Sequence, residues 1–148
     1  MSQYLSFELI NKENPEVKVD LGYWCTSIAR GISYNFDGVF RYTGDEDVEL
    51  DKDTLKSYIE SVHNGVEEYK EDLRKAQESK KENTELLLKA QTQVAVDAIK
   101  EDINIDEDCI NDWMEEIDTW SSVESKLRFI LGVLEENNEK WELLYNNS

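Results

Sequence analysis

A regular stripe of apolar side chains between residues 55 and 76 constrains the fold of this chain more than any other feature. Its members are spaced alternately four and three residues apart, which is typical of a helix that packs along another helix. A second apolar stripe follows near the C-terminus, so the two stripes predict long helices that pack on each other. The first consists of Leu55, Ile59, Val62, Val66, Tyr69, Leu73 and Ala76, and the second of Ile110, Trp113, Ile117, Trp120, Leu127, Leu131, Leu134, Trp141 and Tyr145.

The first 43 residues have a different periodicity. Apolar and polar residues alternate over residues 5–10 and again over 17–21, which predicts two strands that form a hairpin. Between residues 23 and 36 the large apolar residues recur every four positions, which predicts a short helix. Residues 39–43 are rich in aromatic and β-branched side chains after an Asp-Gly turn signal, which predicts a third strand.

These patterns predict an α+β fold that is predominantly helical. A small N-terminal β-β-α-β unit (1–43) leads through an acidic linker (44–53) to a long-helix bundle (54–148), which is either an antiparallel helical hairpin or a three-helix coiled-coil-like bundle. Asp51 or Asp53 is expected to cap the helix after the linker. Residues 77–85 are polar without glycine or proline, so a turn and a continuous helix both remain open there, whereas residues 103–106 are expected to interrupt the helix.

The balance of charge excludes several classes of partner. The chain has 34 acidic and 16 basic residues, for a formal net charge of −18 at pH 7. DNA, RNA and anionic membranes would repel such a protein, so we expect no direct binding to either nucleic acid or membrane, and a basic protein as the partner. No apolar run is long enough to span a membrane and no signal-peptide pattern is present, which predicts a cytoplasmic protein. Cys25 and Cys109 lie far apart, and we expect free thiols.

Motifs for catalysis or metal binding are weak in this sequence. His63 is the only histidine, so it has no second histidine for metal binding, and we expect it to pack at the surface. Residues 102–106 match the beginning of a calcium loop, but Glu107 stands where the loop needs glycine and Trp113 where it needs glutamate. We therefore predict no metal, no cofactor and no enzymatic activity.

One stretch is distinctive by its composition. Residues 23–31 begin with two large aromatic residues and contain an arginine. Tyr23 and Arg30 are candidates for a secondary binding surface at the N-terminus of the predicted helix. The alternative is that Trp24 and Ile28 are core residues and that Arg30 is an exposed partner of the acidic surface.

The junction between the second strand and the helix carries a family resemblance. Residues 17–36, with Gly22-Tyr23-Trp24 after an alternating strand, resemble the opening of small uncharacterised proteins carried by phages and prophages. Those proteins follow this junction with an acidic capped helix similar to residues 53–56. The chain departs from their pattern after Trp24, where Cys25-Thr26-Ser27 replaces the expected basic residues. The resemblance implies a phage-type origin and no particular activity.

Acidic residues are concentrated in two stretches. Residues 101–118 contain nine acidic residues and no basic one, which indicates a surface of strong negative potential that either binds a basic partner or only keeps the protein soluble. The residues predicted for partner binding are Asp45, Glu46, Asp47, Glu49, Glu101, Asp102, Asp106, Glu107, Asp108, Asp112, Glu115, Glu116 and Asp118.

Three functions are compatible with these patterns. The leading hypothesis is a non-enzymatic, phage-type interaction or inhibitor protein that acts in the host cytoplasm. In its sharper form it is an acidic decoy that mimics nucleic acid and occupies a basic groove, as some anti-CRISPR and anti-restriction proteins do. The alternative is a coiled-coil structural or assembly protein that forms a homodimer or larger homo-oligomer through its stripes. The third is an enzyme that uses Tyr23, Arg30 and a carboxylate, to which no catalytic motif points.

Overall fold

The structure of the protein is a computed structural model that describes residues 3–137 and 139–148. The fold is α+β and mainly helical, as predicted, because two long helices of 38 and 45 residues account for most of the chain. They are joined by residues 90–92 and form an antiparallel hairpin. The elements in chain order are β1 (Leu5–Asn11), β2 (Lys18–Trp24), α1 (Thr26–Asn35), β3 (Val48–Glu49), α2 (Lys52–Lys89), α3 (Gln93–Asn137) and β4 (Trp141–Asn147).

The chain divides into two compact units, and each long helix contributes to both. The first unit comprises Met1–Gly65 and Val123–Ser148, and the second comprises Val66–Ser122. The first unit therefore contains the sheet, α1 and the helical segments nearest to them. The second unit contains the remaining segments of α2 and α3 and the turn that joins them.

The first unit is built on a four-stranded antiparallel sheet with the strand order β2-β1-β4-β3. Phe7 of β1 is opposite Gly22 of β2 and Tyr145 of β4. Alternate side chains of β1 and β4 are buried on one face of the sheet, as period-two patterning requires. The core on this face is centred on Phe40, whose ring lies 5.2 Å from that of Phe7, 4.8 Å from that of Tyr58 and 5.3 Å from that of Tyr145.

The predicted third strand over residues 39–43 is wrong, although the order β-β-α-β is confirmed. Phe40 has φ 47°, a left-handed conformation that an extended strand does not contain. The third strand is β3, a pair of residues within the stretch predicted to be a linker. The predicted helix over 23–36 also begins later than expected, because Tyr23 and Trp24 belong to β2 and Cys25 is the extended N-cap residue of α1.

The end of the second apolar stripe is also not helical. Trp141 and Tyr145, predicted to continue the last helix, lie in β4 and face the core of the first unit together with Leu143. A turn separates α3 from this strand, with the backbone N–H of Lys140 donating to the carbonyl of Asn137 at 3.1 Å. A spacing of four residues fits one helical turn, but it also fits two strand repeats on one face.

The long helices begin and continue for identifiable reasons. Asp51 accepts a hydrogen bond from the backbone N–H of Thr54 at 2.7 Å, which confirms the predicted acidic cap of α2. Residues 77–85 are continuous helix, which settles the alternative that the sequence left open. The expected interruption at residues 103–106 is absent, because α3 runs without a break from Gln93 to Asn137.

In the second unit the two helices meet along the predicted stripes. The rings of Tyr69 and Trp113 are stacked with their centroids 5.4 Å apart. Asp106 occupies an inward position, where its carboxylate accepts hydrogen bonds from Ser79 at 2.9 Å and from Asn83 at 2.8 Å. The carboxylate of Asp106 thus finds its hydrogen-bond donors within the hairpin, and α3 continues through residues 103–106 without a break.

Candidate functional site

The acidic residues of α3 form the most strongly charged surface of the second unit. Except for Asp106, all acidic residues between positions 101 and 118 are exposed. Residues 101–118, which present these exposed acids, are called the α3 acidic segment below. Intervals of seven, four and three residues separate four of these acids. The four therefore lie on one face of α3, opposite the face that packs on α2. That outward row is Glu101, Asp108, Asp112 and Glu115, with Asp102 and Glu116 on one side and Glu107 and Asp118 on the other.

Some of these carboxylates already have partners within the second unit. Asp106 is held by Ser79 and Asn83 and therefore supports the hairpin. Glu107 forms an ion pair with Lys80 at 3.4 Å. Glu116 accepts a hydrogen bond from the indole N–H of Trp120 at 2.7 Å. The outward row thus contains the carboxylates best placed to meet another molecule.

The acidic residues of α2 are arranged differently. Glu67 pairs with Lys70 at 3.1 Å, and Arg74 pairs with Glu71 at 2.7 Å and with Glu78 at 3.0 Å. The hydrogen bond from Arg74 lowers the pKa of Glu71. Such pairs balance the charge along α2. The α3 acidic segment contains no basic residue of its own, so its charge is not balanced in this way.

Neighbouring carboxylates contribute to a raised pKa of one tyrosine in the second unit. The pKa of Tyr69 is raised above its ordinary value, first by burial and then by the charges of Glu116, Glu68 and Asp72. A second negative charge, on the phenolate, is unfavourable beside these carboxylates. The stacked pair of Tyr69 and Trp113 therefore lies at the border of an electronegative surface.

The remaining predicted acidic residues belong to the first unit. Asp45, Glu46 and Asp47 lie in the loop before β3, Glu49 lies in β3, and all four are exposed. The α3 acidic segment belongs to the second unit. The two groups are thus surfaces of different units.

The outer face of the sheet adds acidic residues that the sequence analysis missed. Glu8 of β1 is directly opposite Asp20 of β2, although like charges in such pairs are destabilising. Both line a shallow depression with Asp47, and Glu142 of β4 is opposite Ile10 on the same face. Alternation showed that Glu8 and Asp20 point away from the core, but their pairing depends on a β-bulge between Phe7 and Glu8 that no sequence pattern marks.

Contrary to the prediction, Tyr23 and Arg30 do not lie together at the beginning of one helix. Tyr23 is in β2, where its exposed ring lies 6.0 Å from that of Tyr4 in an edge-to-face contact. Arg30 lies on an exposed position of α1. The secondary binding surface therefore has no basis in a shared helix terminus.

His63 lies in a hydrogen-bonded group of three side chains within the first unit. Its Nδ1 is 3.0 Å from Glu124, which also accepts a hydrogen bond from Arg128 at 2.9 Å. Burial raises the pKa of Glu124, but the hydrogen bonds from Arg128 and His63 outweigh it, so that the pKa is lowered overall. These hydrogen bonds join α2 to α3, so the group has a structural role.

A cleft of the first unit does not bring the candidate catalytic residues together. It has a volume of about 400 Å³ and lies at the beginning of α2. Neither His63 nor Tyr23 nor Arg30 lines it. Its lining residues are Lys12, Glu49, Leu50, Asp51, Lys52, Asp53, Thr54, Leu134, Trp141, Glu142 and Leu143.

Neither cysteine belongs to a group of candidate metal ligands in the part of the chain that the structure describes. Cys25 and Cys109 are free and exposed, and a hydrogen bond with Ser27 lowers the pKa of the Cys25 thiol. Over residues 3–137 and 139–148, no three His, Cys, Asp or Glu side chains are grouped in a way that could hold a metal ion. In the same part of the chain, neither α2 nor α3 contains an apolar stretch sufficient to cross a membrane.

Comparison with known proteins adds no relative. Neither family models, nor curated protein sequences, nor solved structures gave a match to this chain.

Proposed function

We propose that this protein is a non-enzymatic inhibitor that binds a basic, nucleic-acid-binding protein through the α3 acidic segment and excludes the nucleic acid. The observation that carries the proposal is the contrast between the two long helices. Three acids of α2, Glu67, Glu71 and Glu78, are paired with basic residues three or four positions away, whereas the α3 acidic segment has no basic residue in its own sequence. Solubility alone does not require this separation of charge.

The density of charge along α3 supports mimicry of nucleic acid. Residues 101–118 span about 27 Å at about 1.5 Å per residue. Their eight exposed carboxylates, of which Glu107 is paired with Lys80, amount to one carboxylate for about every 3.4 Å. One strand of B-DNA carries one phosphate for about every 3.4 Å of helix axis. A groove lined with lysine and arginine would therefore meet a similar number of negative charges per unit length.

The side-by-side arrangement of the carboxylates also supports the proposal. A single helical row offers only one carboxylate per turn of about 5.4 Å. Acidic residues flank the outward row on both sides, so several carboxylates are presented across the width of the helix. A surface of this kind fits a basic groove better than it fits a small basic peptide, which would contact one row.

The origin and the compartment follow from the same proposal. The resemblance of residues 17–36 to phage and prophage proteins favours a phage-type factor that acts in the cytoplasm of the host cell. A basic nucleic-acid-binding protein of host defence, such as a CRISPR or restriction component, is a target of suitable chemistry. The net charge of −18 would also speed the encounter with such a target.

The test is capture followed by displacement. The full chain, immobilised at low salt, is incubated with a lysate of the host, and captured proteins are eluted with high salt and purified. Each is then bound to a labelled DNA duplex or RNA hairpin, and the free chain is added. We expect displacement of the label, and a loss of displacement as the salt concentration rises, because the interaction is electrostatic.

Two variants with equal changes of net charge separate position from charge alone. In one, the outward row is neutralised by Glu101→Gln, Asp108→Asn, Asp112→Asn and Glu115→Gln. In the other, four acids of α2 are neutralised by Glu67→Gln, Glu71→Gln, Glu78→Gln and Glu82→Gln. The proposal requires the first variant to lose displacement and the second to keep it. Equal losses, or a captured protein that retains its nucleic acid, would contradict it.

A further inference from the structure

The sheet of the first unit ends at β2, a strand that is paired on one side only within the part of the chain that the structure describes. In the order β2-β1-β4-β3, its neighbour is β1. The backbone N–H of Asn11 donates to the carbonyl of Val17, which fixes the phase of the β1-β2 ladder. Because backbone groups point alternately to either side of a strand, those of Lys18 and Asp20 point away from β1. They form an open edge, to which another strand can add.

The side chains along this edge differ between the two faces of the sheet. Val19 is directly opposite Leu9 and therefore lies on the core face. Leu9 is buried there, whereas Val19 is 44% exposed. Lys18 and Asp20 lie on the outer face, because successive side chains of a strand alternate. An added strand would thus cover an apolar side chain on one face and meet a cation and an anion on the other.

A second copy of β2 is complementary to this edge in one register. When two copies run antiparallel about a twofold axis at Val19, Lys18 of each copy is opposite Asp20 of the other. Each of these pairs exchanges both of its backbone hydrogen bonds, because both residues point their backbone groups to the edge. The two Val19 side chains then meet in a close, non-hydrogen-bonded pair.

The adjacent registers with the same hydrogen-bonding phase are unfavourable. They place Lys18 opposite Lys18 or Asp20 opposite Asp20, and like charges directly opposite each other are destabilising. The next acidic residue, Glu16, does not disturb the favoured register, because it would be opposite Gly22, which has no side chain. The order of charges along β2 therefore selects the pairing about Val19.

The carboxylates beside this edge also have a use for the cation. Glu8 is directly opposite Asp20, and both line a depression with Asp47, to which no basic residue contributes. Among residues 3–137 and 139–148, Lys18 has no ion-pair partner. In the favoured register, Lys18 of the second copy is brought to this group of carboxylates.

We propose that β2 is a self-association edge, at which two copies of this chain pair antiparallel about Val19 and join their sheets. The contact is isologous, since both copies use the same residues. It is also short, because a β-bulge interrupts the β1-β2 register after Asp20 and Gly22 has φ 105°. The edge belongs to the first unit and uses no residue of the α3 acidic segment, so the proposal does not rest on the inhibitory function.

A disulfide trap tests the register. In a chain with Cys25→Ser and Cys109→Ser, Val19→Cys places two thiols in the non-hydrogen-bonded pair, where the Cα atoms are about 4.5 Å apart and a disulfide fits. We expect a covalent dimer under mild oxidation. Tyr23→Cys in the same background is the matched control, because Tyr23 is exposed in the same strand but lies away from the twofold axis. It should form far less covalent dimer.

Sedimentation velocity of the full chain tests the association without a cross-link. The dimer should be reversible, because a short contact must overcome the repulsion between two chains of net charge −18. Over a roughly hundredfold range of concentration, we expect the average mass to rise from 17.3 kDa toward that of a dimer. Lys18→Glu places like charges in both symmetry-related pairs and should raise the dissociation constant by about tenfold or more.

A mixture of two charge-reversed chains gives the sharpest comparison. Lys18→Glu and Asp20→Lys each create like-charged pairs in their own dimers, whereas the mixed dimer has opposite charges at both positions. We expect the mixture to associate at concentrations where each variant alone is monomeric, although both variants keep a large negative charge. A monomer at every concentration, equal cross-linking of the Val19→Cys and Tyr23→Cys chains, or a mixture that behaves as its separate components would overturn the proposal.

Discussion

The side-chain amide of Asn147 donates a hydrogen bond to the carbonyl oxygen of Phe40 across 2.6 Å. Asn147 is fully buried, and its backbone N–H donates to the hydroxyl of Thr43 at 3.0 Å. Phe40 is the residue in the left-handed conformation, with φ 47°. Asn147 in β4 therefore fixes the turn after α1. This turn places the ring of Phe40 at the centre of the core.

Removal of this amide should destabilise the first unit. Asn147→Ala leaves the carbonyl of Phe40 buried without its donor, and an unsatisfied group of this kind costs about 1–3 kcal/mol. We expect the free energy of unfolding, measured by urea denaturation, to fall by that amount. Asn146→Ala is the control, because its amide bonds to Asp47 at an exposed site. Equal losses in the two variants would show that burial of Asn147 is not the cause.

The sheet illustrates what the sequence could and could not predict. Alternation in residues 5–10 and 17–21 identified β1 and β2, because one face of each strand is more buried or more apolar than the other. The same logic failed for β4, since Trp141 and Tyr145 are four residues apart and extend a helical stripe equally well. The decisive feature is a long-range one, the pairing of β4 with β1, and spacing along one strand does not encode its partner.

Gly65 provides a second prediction. In the middle of a helix, alanine normally stabilises relative to glycine. A methyl group at Gly65 would, however, collide with the ring of Phe36. We expect Gly65→Ala to lower the free energy of unfolding by about 1–3 kcal/mol, as overpacking does. Gly132→Ala, in α3 and with no atom near the new methyl group, should raise it by roughly 0.5–1 kcal/mol. The same sign for both variants would contradict this explanation.

The acidic surfaces were predictable to different degrees. The exposure of the α3 acidic segment followed from the phase of the stripe through Ile110 and Trp113, because residues between the stripe positions must face outward. Asp106 was misjudged, since a carboxylate at an inward position resembles a helix break until its partners are known. Those partners, Ser79 and Asn83, are on the other helix, and their alignment depends on the register of the hairpin.

The polar layer at Asp106 gives a third prediction. If Asn83 and Asp106 interact as the hydrogen bond indicates, the effects of Asn83→Ala and Asp106→Ala should not add. A double-mutant cycle by thermal or urea denaturation should give a coupling of roughly 0.5–1.5 kcal/mol. The pair Asn83→Ala and Asp112→Ala is the reference, because Asp112 belongs to the exposed outward row and should add independently. Coupling of similar size in the reference pair would remove the argument for a register-setting layer.

The fourth prediction concerns the dependence of stability on pH. Glu124 is only 16% exposed, and its hydrogen bonds from Arg128 and His63 lower its pKa in the folded protein despite its burial. Above the ordinary pKa of a glutamate, the carboxylate is ionised in both states and the stabilisation is complete. As the pH falls below that value, the unfolded chain takes up the proton first, so the stabilisation declines until the folded protein is protonated as well.

Glu124→Gln should therefore lower the free energy of unfolding by about 1–2 kcal/mol at neutral pH, and the difference from the unmodified chain should shrink as the pH falls through and below the ordinary range of glutamate. Denaturation with urea at a series of pH values measures this convergence. Glu135→Gln is the control, because Glu135 pairs with Lys56 at 3.5 Å in an exposed position and should contribute little at any pH. A difference for Glu124→Gln that stays constant down to acidic pH would show that the side chain acts by packing alone.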